Sequence, residues 1–261
     1  MFRDRSFLSS AWPGFASLVL LAVGGVACAP INAESLGVDF EACGLPSDQY
    51  GSLMPRVPFA EGIRLGVDSS FTEEQRASIA KAVDQWNDFF GTTVGRPVIQ
   101  IVTVSSTSGD RPYGSGDCSY VGGDGASYSI LNEVSSERWS RLGLTSSNPG
   151  VTVRCRRGGD LQRQAILIQT GYANSHQLTS IALHEIGHSL GLDHSCEPGT
   201  GSADYAGCTG IKESHPYRQA VMYPSLRFLG PFDQFPETKE SLQTNDVLRG
   251  RCLYGQSGGG A

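Results

Sequence analysis

His184-Glu185-Ile186-Gly187-His188-Ser189-Leu190-Gly191-Leu192-Asp193-His194 is the stretch on which the reading of this 261-residue chain turns. His184 and His188 are four residues apart. On a helix that spacing puts both side chains on one face, one turn from each other, where two imidazole nitrogens can reach one metal ion. Glu185 follows the first histidine, and the 100° step per residue carries its carboxylate beside the metal without making it a ligand. Gly191 lacks a Cβ and can take the left-handed conformation that ends helices, which lets Leu192-Asp193-His194 swing back under the metal and bring a third nitrogen. Three neutral imidazoles favour zinc and leave its fourth position open, as a catalytic site requires. The expected chemistry is peptide hydrolysis by a zinc-bound water, with Glu185 as the general base that passes the proton on to the leaving amine. A lone buried histidine is ordinary core material, but five specified residue types at fixed spacing seldom coincide by chance.

Upstream, Leu178, Ile181 and Ala182 supply the packing face of the motif's helix, with Ser175 as its expected cap. An earlier helix opens on a capping box, Thr72 with Gln75, and its apolar face is Ile79, Ala82, Val83, Trp86 and Phe90. Alternating or β-branched runs predict strands at residues 62–68, 98–104, 127–131, 151–156 and 164–170. Strands followed by the histidine helix make an α+β domain of sheet and helices. Residues 105–125 turn to Ser, Gly and Asp. There Asp117 and Asp124 are either parts of a solvated loop or oxygen ligands for calcium.

The N-terminus reads as an export signal over residues 1–28: Arg3 and Arg5, an apolar run over 15–27, then Ala27-Cys28-Ala29-Pro30. The run falls short of the roughly 20 residues that cross a bilayer. Cleavage after Ala29 and lipidation at Cys28 both fit, so membrane contact is expected only through a lipid anchor on Cys28. Residues 29–59, rich in Gly, Pro, Ser and acidic side chains, read as a linker or short pro-segment, and residues 256–261 as a flexible tail. Net charge −6 and a pI near 5.4 argue against nucleic-acid binding, which needs a basic face. The seven cysteines, at 28, 43, 118, 155, 196, 208 and 252, leave one over if the rest pair, and lipidation at Cys28 would make the remainder even.

The motif and its surroundings resemble the matrixin branch of the metzincins. Ser195 follows the third histidine, Ala220-Val221-Met222-Tyr223-Pro224 is similar to that branch's methionine turn, and Asp246-Val247-Leu248 with Leu253-Tyr254-Gly255 is similar to its last helix and exit. The resemblance implies a zincin-like α+β catalytic domain over residues 60–255, with a twisted, mostly parallel five-stranded sheet and three main helices. It implies a secreted or envelope-anchored endopeptidase, of bacterial type, with one catalytic zinc on His184, His188 and His194. Met222 would lie beneath those ligands. Protein or peptide substrates would lie along a sheet edge, selected by residues 225–244.

Only His176 and His215 remain beyond the three ligands, so the second, structural zinc of vertebrate matrixins is expected to be absent, with disulfides through Cys118, Cys155 and Cys252 in its place. Cys196 and Cys208 read as a local loop staple, with a second metal site as the alternative. Cys43-Gly44-Leu45-Pro46-Ser47-Asp48 is similar to the matrixin cysteine switch, and Cys43 is read either as that thiolate or as half of a disulfide. The rival for the whole domain is a non-catalytic zinc-bearing binding module. Oligomeric state is not legible.

Overall fold

Five strands carry the sheet in this computed structural model: β1 (Ile63–Asp68), β2 (Ile99–Val104), β3 (Tyr128–Asn132), β4 (Gly150–Arg157) and β5 (Asp160–Ile168). Around them lie α1 (Glu73–Val94), α2 (Ser136–Arg141), α3 (Leu178–Ser189), α4 (Pro216–Gln219) and α5 (Thr244–Tyr254). The structure describes residues 62–112, 114, 117–120, 124, 126–157, 160–171, 173, 175–197, 207–226 and 237–254. The leader, the linker, Cys28, Cys43 and the tail lie outside the described residues, as do residues 227–236. No described helix is long and apolar enough to cross a membrane.

The strand order is β2-β1-β3-β5-β4. β1 pairs in parallel with β2 and β3, and β3 with β5, while β4 runs antiparallel to β5 at the edge. The mostly parallel five-stranded sheet and the three longer helices, α1, α3 and α5, are those the resemblance implies. One boundary differs by four residues: β5 begins at Asp160, where the hydrophobic pattern predicts a start near Gln164. Residues 160–164 are mainly polar, and what makes them strand is the backbone ladder that antiparallel β4 supplies, with Arg157 opposite Asp160.

Side-chain alternation divides the core between the two faces of the sheet. Ile63, Leu65, Val67, Ile130, Ile166 and Ile168 pack against α1 and α3. Leu131, Ala165 and Leu167 face the other way, onto Tyr120, Trp139 and Cys155. The Thr72–Gln75 capping box forms as predicted: Thr72 N–H donates to Gln75 Oε1 (2.9 Å) and Gln75 N–H to Thr72 Oγ1 (3.2 Å). Trp86, fully buried on α1, donates its indole N–H to the Leu183 carbonyl (3.0 Å) and so fixes α3 one residue before the first histidine.

The cap position of α3 falls at Gln177, two residues after the Ser175 that the sequence suggests. Residues 175–177 form a 3₁₀ turn, and α3 starts after Gln177, which makes no side-chain cap. Gln177 instead donates to the Glu237 carbonyl (2.8 Å). A 3₁₀ lead-in of this kind is common at helix N-termini and moves the cap position along the chain.

The Ser/Gly/Asp-rich segment after β2 is held by charge and by sulfur. Arg111 bridges to buried Asp68 at the end of β1 (2.8 Å) and to the Asn132 carbonyl at the end of β3 (2.9 Å). Asp68 also accepts from the Ser70 N–H (2.9 Å). Cys118 is joined to Cys155 of β4, and Cys196 to Cys208 as the local staple the sequence suggests. Cys252 is disulfide-bonded as well.

Candidate active site

α3 carries His184, Glu185 and His188, and the chain stops the helix where the sequence predicts. Gly191 has φ 98°, its N–H bonds the His188 carbonyl (3.0 Å), and the Leu192 N–H bonds the Gly187 carbonyl (3.0 Å). These two bonds are a Schellman motif with glycine in the left-handed position. The reversal returns His194 to the other two rings. The ligand atoms of His184, His188 and His194 all lie within 4.8 Å of one another, and among the described residues they are the one such group able to hold a metal ion.

Main-chain oxygens set which nitrogen faces inward. His184 Nδ1 lies 2.8 Å from the Val221 carbonyl and His188 Nδ1 2.8 Å from the Leu192 carbonyl. A carbonyl only accepts, so each Nδ1 carries the hydrogen and Nε2 is left with its lone pair. Burial, reinforced by the neighbouring imidazoles, lowers the pKa of His184 to about 3 and that of His188 well below its ordinary value; burial also lowers His194. The rings are therefore neutral at neutral pH, the form that binds a metal. Three neutral imidazoles, two of them oriented by main-chain oxygens, with no thiolate or second carboxylate in the group fit zinc.

Glu185 is 6% exposed. Burial pushes its carboxyl up to about 7, against the opposing pull of the Thr152 hydroxyl and the Arg154 charge. Thr152 Oγ1 lies 2.7 Å from Oε2, and Arg154 donates to the His188 carbonyl (2.6 Å). Both belong to β4 and line a cavity of about 330 Å³ that also includes the three histidines, Tyr223, Leu226 and Lys239.

Met222 is fully buried in the turn that follows α4, with its sulfur against Gly187 between the two helical histidines. Three groups hold that turn. Ser195 receives its place from the Met222 carbonyl, to which its N–H donates (2.8 Å), and its hydroxyl donates to the Tyr217 carbonyl (2.7 Å). Asp246 of α5 accepts from the Val221 N–H (2.9 Å) and the Met222 N–H (3.1 Å). Lys239 donates to the carbonyls of Arg218 (2.5 Å) and Ala220 (2.8 Å), and its burial lowers its pKa to about 8. Arg249, one turn beyond Asp246, donates to the Asp193 carbonyl beside His194 (2.7 Å).

The structure thus brings together His184, Glu185, His188, His194 and Met222. Among the described residues Asp117 and Asp124 join no metal-binding group: Asp117 serves a local turn, accepting from the Ser119 N–H (2.8 Å), and Asp124 accepts from the Ser105 N–H at the end of β2 (2.8 Å). Gly150, Thr152, Arg154 and Lys239 escape sequence reasoning. None has a local pattern, and each reaches the site only through tertiary packing. Asp246 is visible only within the segment that is similar to the matrixins' last helix.

An antiparallel edge strand packed on a histidine helix, three convergent imidazoles and a methionine turn packed against the same helix together define a metal-binding site. The matrixin family model matches residues 65–200, just over half of the sequence, and the chain belongs to the matrixin family. As a matrixin it is a zinc metalloprotease. Among solved structures the chain is similar to one described as the structure of myroilysin, at 12% identity and a TM-score of 0.36, over 76% of this chain and 94% of that one. A comparison with curated protein sequences finds no match.

Proposed function

We propose that this matrixin is an exported endopeptidase in which His184, His188 and His194 hold one zinc ion, Glu185 is the general base and Met222 closes the floor of the site. The observation that carries the reading is the meeting of three neutral imidazoles, two of them fixed to present Nε2, with one buried carboxyl in a single cleft. Zinc bound there supplies Lewis acidity toward a peptide carbonyl and toward water.

The chain's own groups do the rest. Glu185 Oε2 is engaged by Thr152, which leaves Oε1 to take a proton from water and return it to the leaving nitrogen. A carboxyl raised to about 7 is matched to that two-way transfer near neutral pH. The outer edge of β4 carries no strand among the described residues, so an extended substrate can add its backbone there. Side-chain choice falls to the part of the cavity lined by Tyr223, Leu226 and Lys239. Disulfides Cys118–Cys155 and Cys196–Cys208 support an oxidising, exported setting.

A peptide-library digest with and without a chelator tests the reading, run beside Glu185→Gln. The expected result is chelator-sensitive cleavage, lost in the variant while zinc is retained. Absence of chelator-sensitive cleavage would favour the zinc-bearing binding module, and full activity of Glu185→Gln would remove the base role. The mass of the mature N-terminus decides between lipidation at Cys28 and cleavage after Ala29, and whether Cys43 is present in the active form.

A further inference from the structure

Two residues of the edge strand touch Glu185. Thr152 Oγ1 lies 2.7 Å from Glu185 Oε2 and 3.0 Å from the Glu185 main-chain oxygen. A hydroxyl has one proton to give, and a carboxylate is the stronger acceptor, so the bond goes to Oε2. Two residues earlier, and so on the same face of the strand, Gly150 adjoins the rest of the side chain. A Cβ placed on Gly150 would fall 2.9 Å from Glu185 Oε1, 3.0 Å from Glu185 Cγ and 2.9 Å from Ile181 Cγ2, all closer than real carbon contacts allow. One residue supplies a bond to one oxygen, and the other supplies the space that admits its twin.

We propose that Gly150 and Thr152 are positioning residues that fix the Glu185 carboxylate, so that the strand offered to substrate also sets the base. The inference rests on Glu185 acting as the base. A glutamate left to itself samples several rotamers, most of which point its carboxylate away from a reacting water. Here the helix provides the residue and β4 selects the rotamer. The coupling spans 33 residues of sequence.

Thr152→Val keeps the shape and deletes the donor, whereas Thr152→Ser keeps the donor. The expected result is a fall in kcat of roughly ten- to hundred-fold for Thr152→Val at nearly constant KM, with zinc content and melting temperature retained. Thr152→Ser should recover most of the kcat. Gly150→Ala should act on the same quantity, because the first atoms its methyl meets include the mobile end of Glu185. Since both act through one carboxylate, the double variant Gly150→Ala/Thr152→Val should lose less than the product of the single losses. Crystal structures of the zinc-loaded variants should show the carboxylate displaced.

An unchanged kcat in Thr152→Val, or equal losses in Thr152→Val and Thr152→Ser, would overturn the proposal. If the wild-type protein shows no chelator-sensitive cleavage, it is the reading of the site that has failed. The crystallographic test then decides the positioning alone: a carboxylate unmoved in both variants overturns it, and a displaced one upholds it.

Discussion

Gly187 on α3 packs directly under Met222: a Cβ on that glycine would overlap the methionine sulfur and approach Trp86 Cζ2 to 3.2 Å. The glycine between the two helical histidines is thus the point at which the methionine turn supports them. Two effects of opposite sign meet in Gly187→Ala. Helix propensity favours alanine by about 1 kcal/mol. Overpacking a filled core costs about 1–3 kcal/mol, and neither neighbour has room to retreat, since Met222 and Trp86 are both fully buried. Packing wins. With the added Cβ overlapping the sulfur, the cost lies in the upper part of that range, so the variant should be less stable by roughly 1–2 kcal/mol and bind zinc more weakly, as read from guanidinium midpoints and metal titration. A midpoint at or above that of the wild type would show that the turn does not bear on the helix.

Asp246 supports the same turn from the other side. It is fully buried and accepts three main-chain N–H groups, those of Val221, Met222 and Gln243. Asp246→Ala leaves three donors without this partner, two of them buried, at about 1 kcal/mol or more for each buried one, so a loss of roughly 2–3 kcal/mol is expected. Asp246→Asn keeps one acceptor oxygen and should lose less. Denaturant unfolding of both variants checks this order. A milder effect from alanine than from asparagine would contradict it.

These two supports mark the limit of what could be read without the structure. The histidine helix, its glycine stop and the Thr72–Gln75 cap are local, set by residues within a turn or two of each other, and sequence spacing encodes them directly. Met222 and Ser195 were legible through resemblance, Ser195 because it follows the third histidine and Met222 because of the Ala220–Pro224 segment around it. Thr152, Gly150, Lys239 and Arg249 were not. Their roles depend on which strand or helix packs over α3, and nothing in the periodicity around Thr152 distinguishes a residue that faces Glu185 from one that faces solvent. The early start of β5 escaped for a similar reason: polar residues 160–164 become strand through their partner.

The two described disulfides should contribute unequally. In the chain-entropy account the gain grows with the logarithm of the loop closed. Cys118–Cys155 spans 37 residues and Cys196–Cys208 spans 12. The expected stabilisations are about 4 and about 3 kcal/mol respectively. Cys118 also anchors the long segment after β2 to β4, the strand that carries Gly150 and Thr152. Serine replacement of both cysteines of each pair, followed by thermal unfolding, should show the larger loss for the first pair. Peptidase activity should also fall more there, and the reverse order would argue that the segment after the third histidine is the more constrained.

Acidification should weaken the zinc-free protein, and the sign follows from four groups. Unfolded imidazoles titrate near 6.5, while folded His184 does so at about 3 and folded His188 well below the ordinary value. Between those limits the unfolded chain binds more protons, so stability falls as pH falls below about 6.5, by about 1.4 kcal/mol per pH unit for each fully shifted imidazole. His194 adds in the same direction. Glu185 opposes them: its folded pKa, about 7, lies above the ordinary 4.5, so between those values the folded state holds the extra proton and gains stability on acidification. Three imidazoles outweigh one carboxyl. From pH 6.5 to 5 the metal-free protein should therefore lose stability. His184→Gln should flatten that slope, since it removes one of the three. Guanidinium unfolding of chelator-treated protein across this range measures both slopes, and a stability that rises toward pH 5 would mean that the histidines are not neutral in the fold.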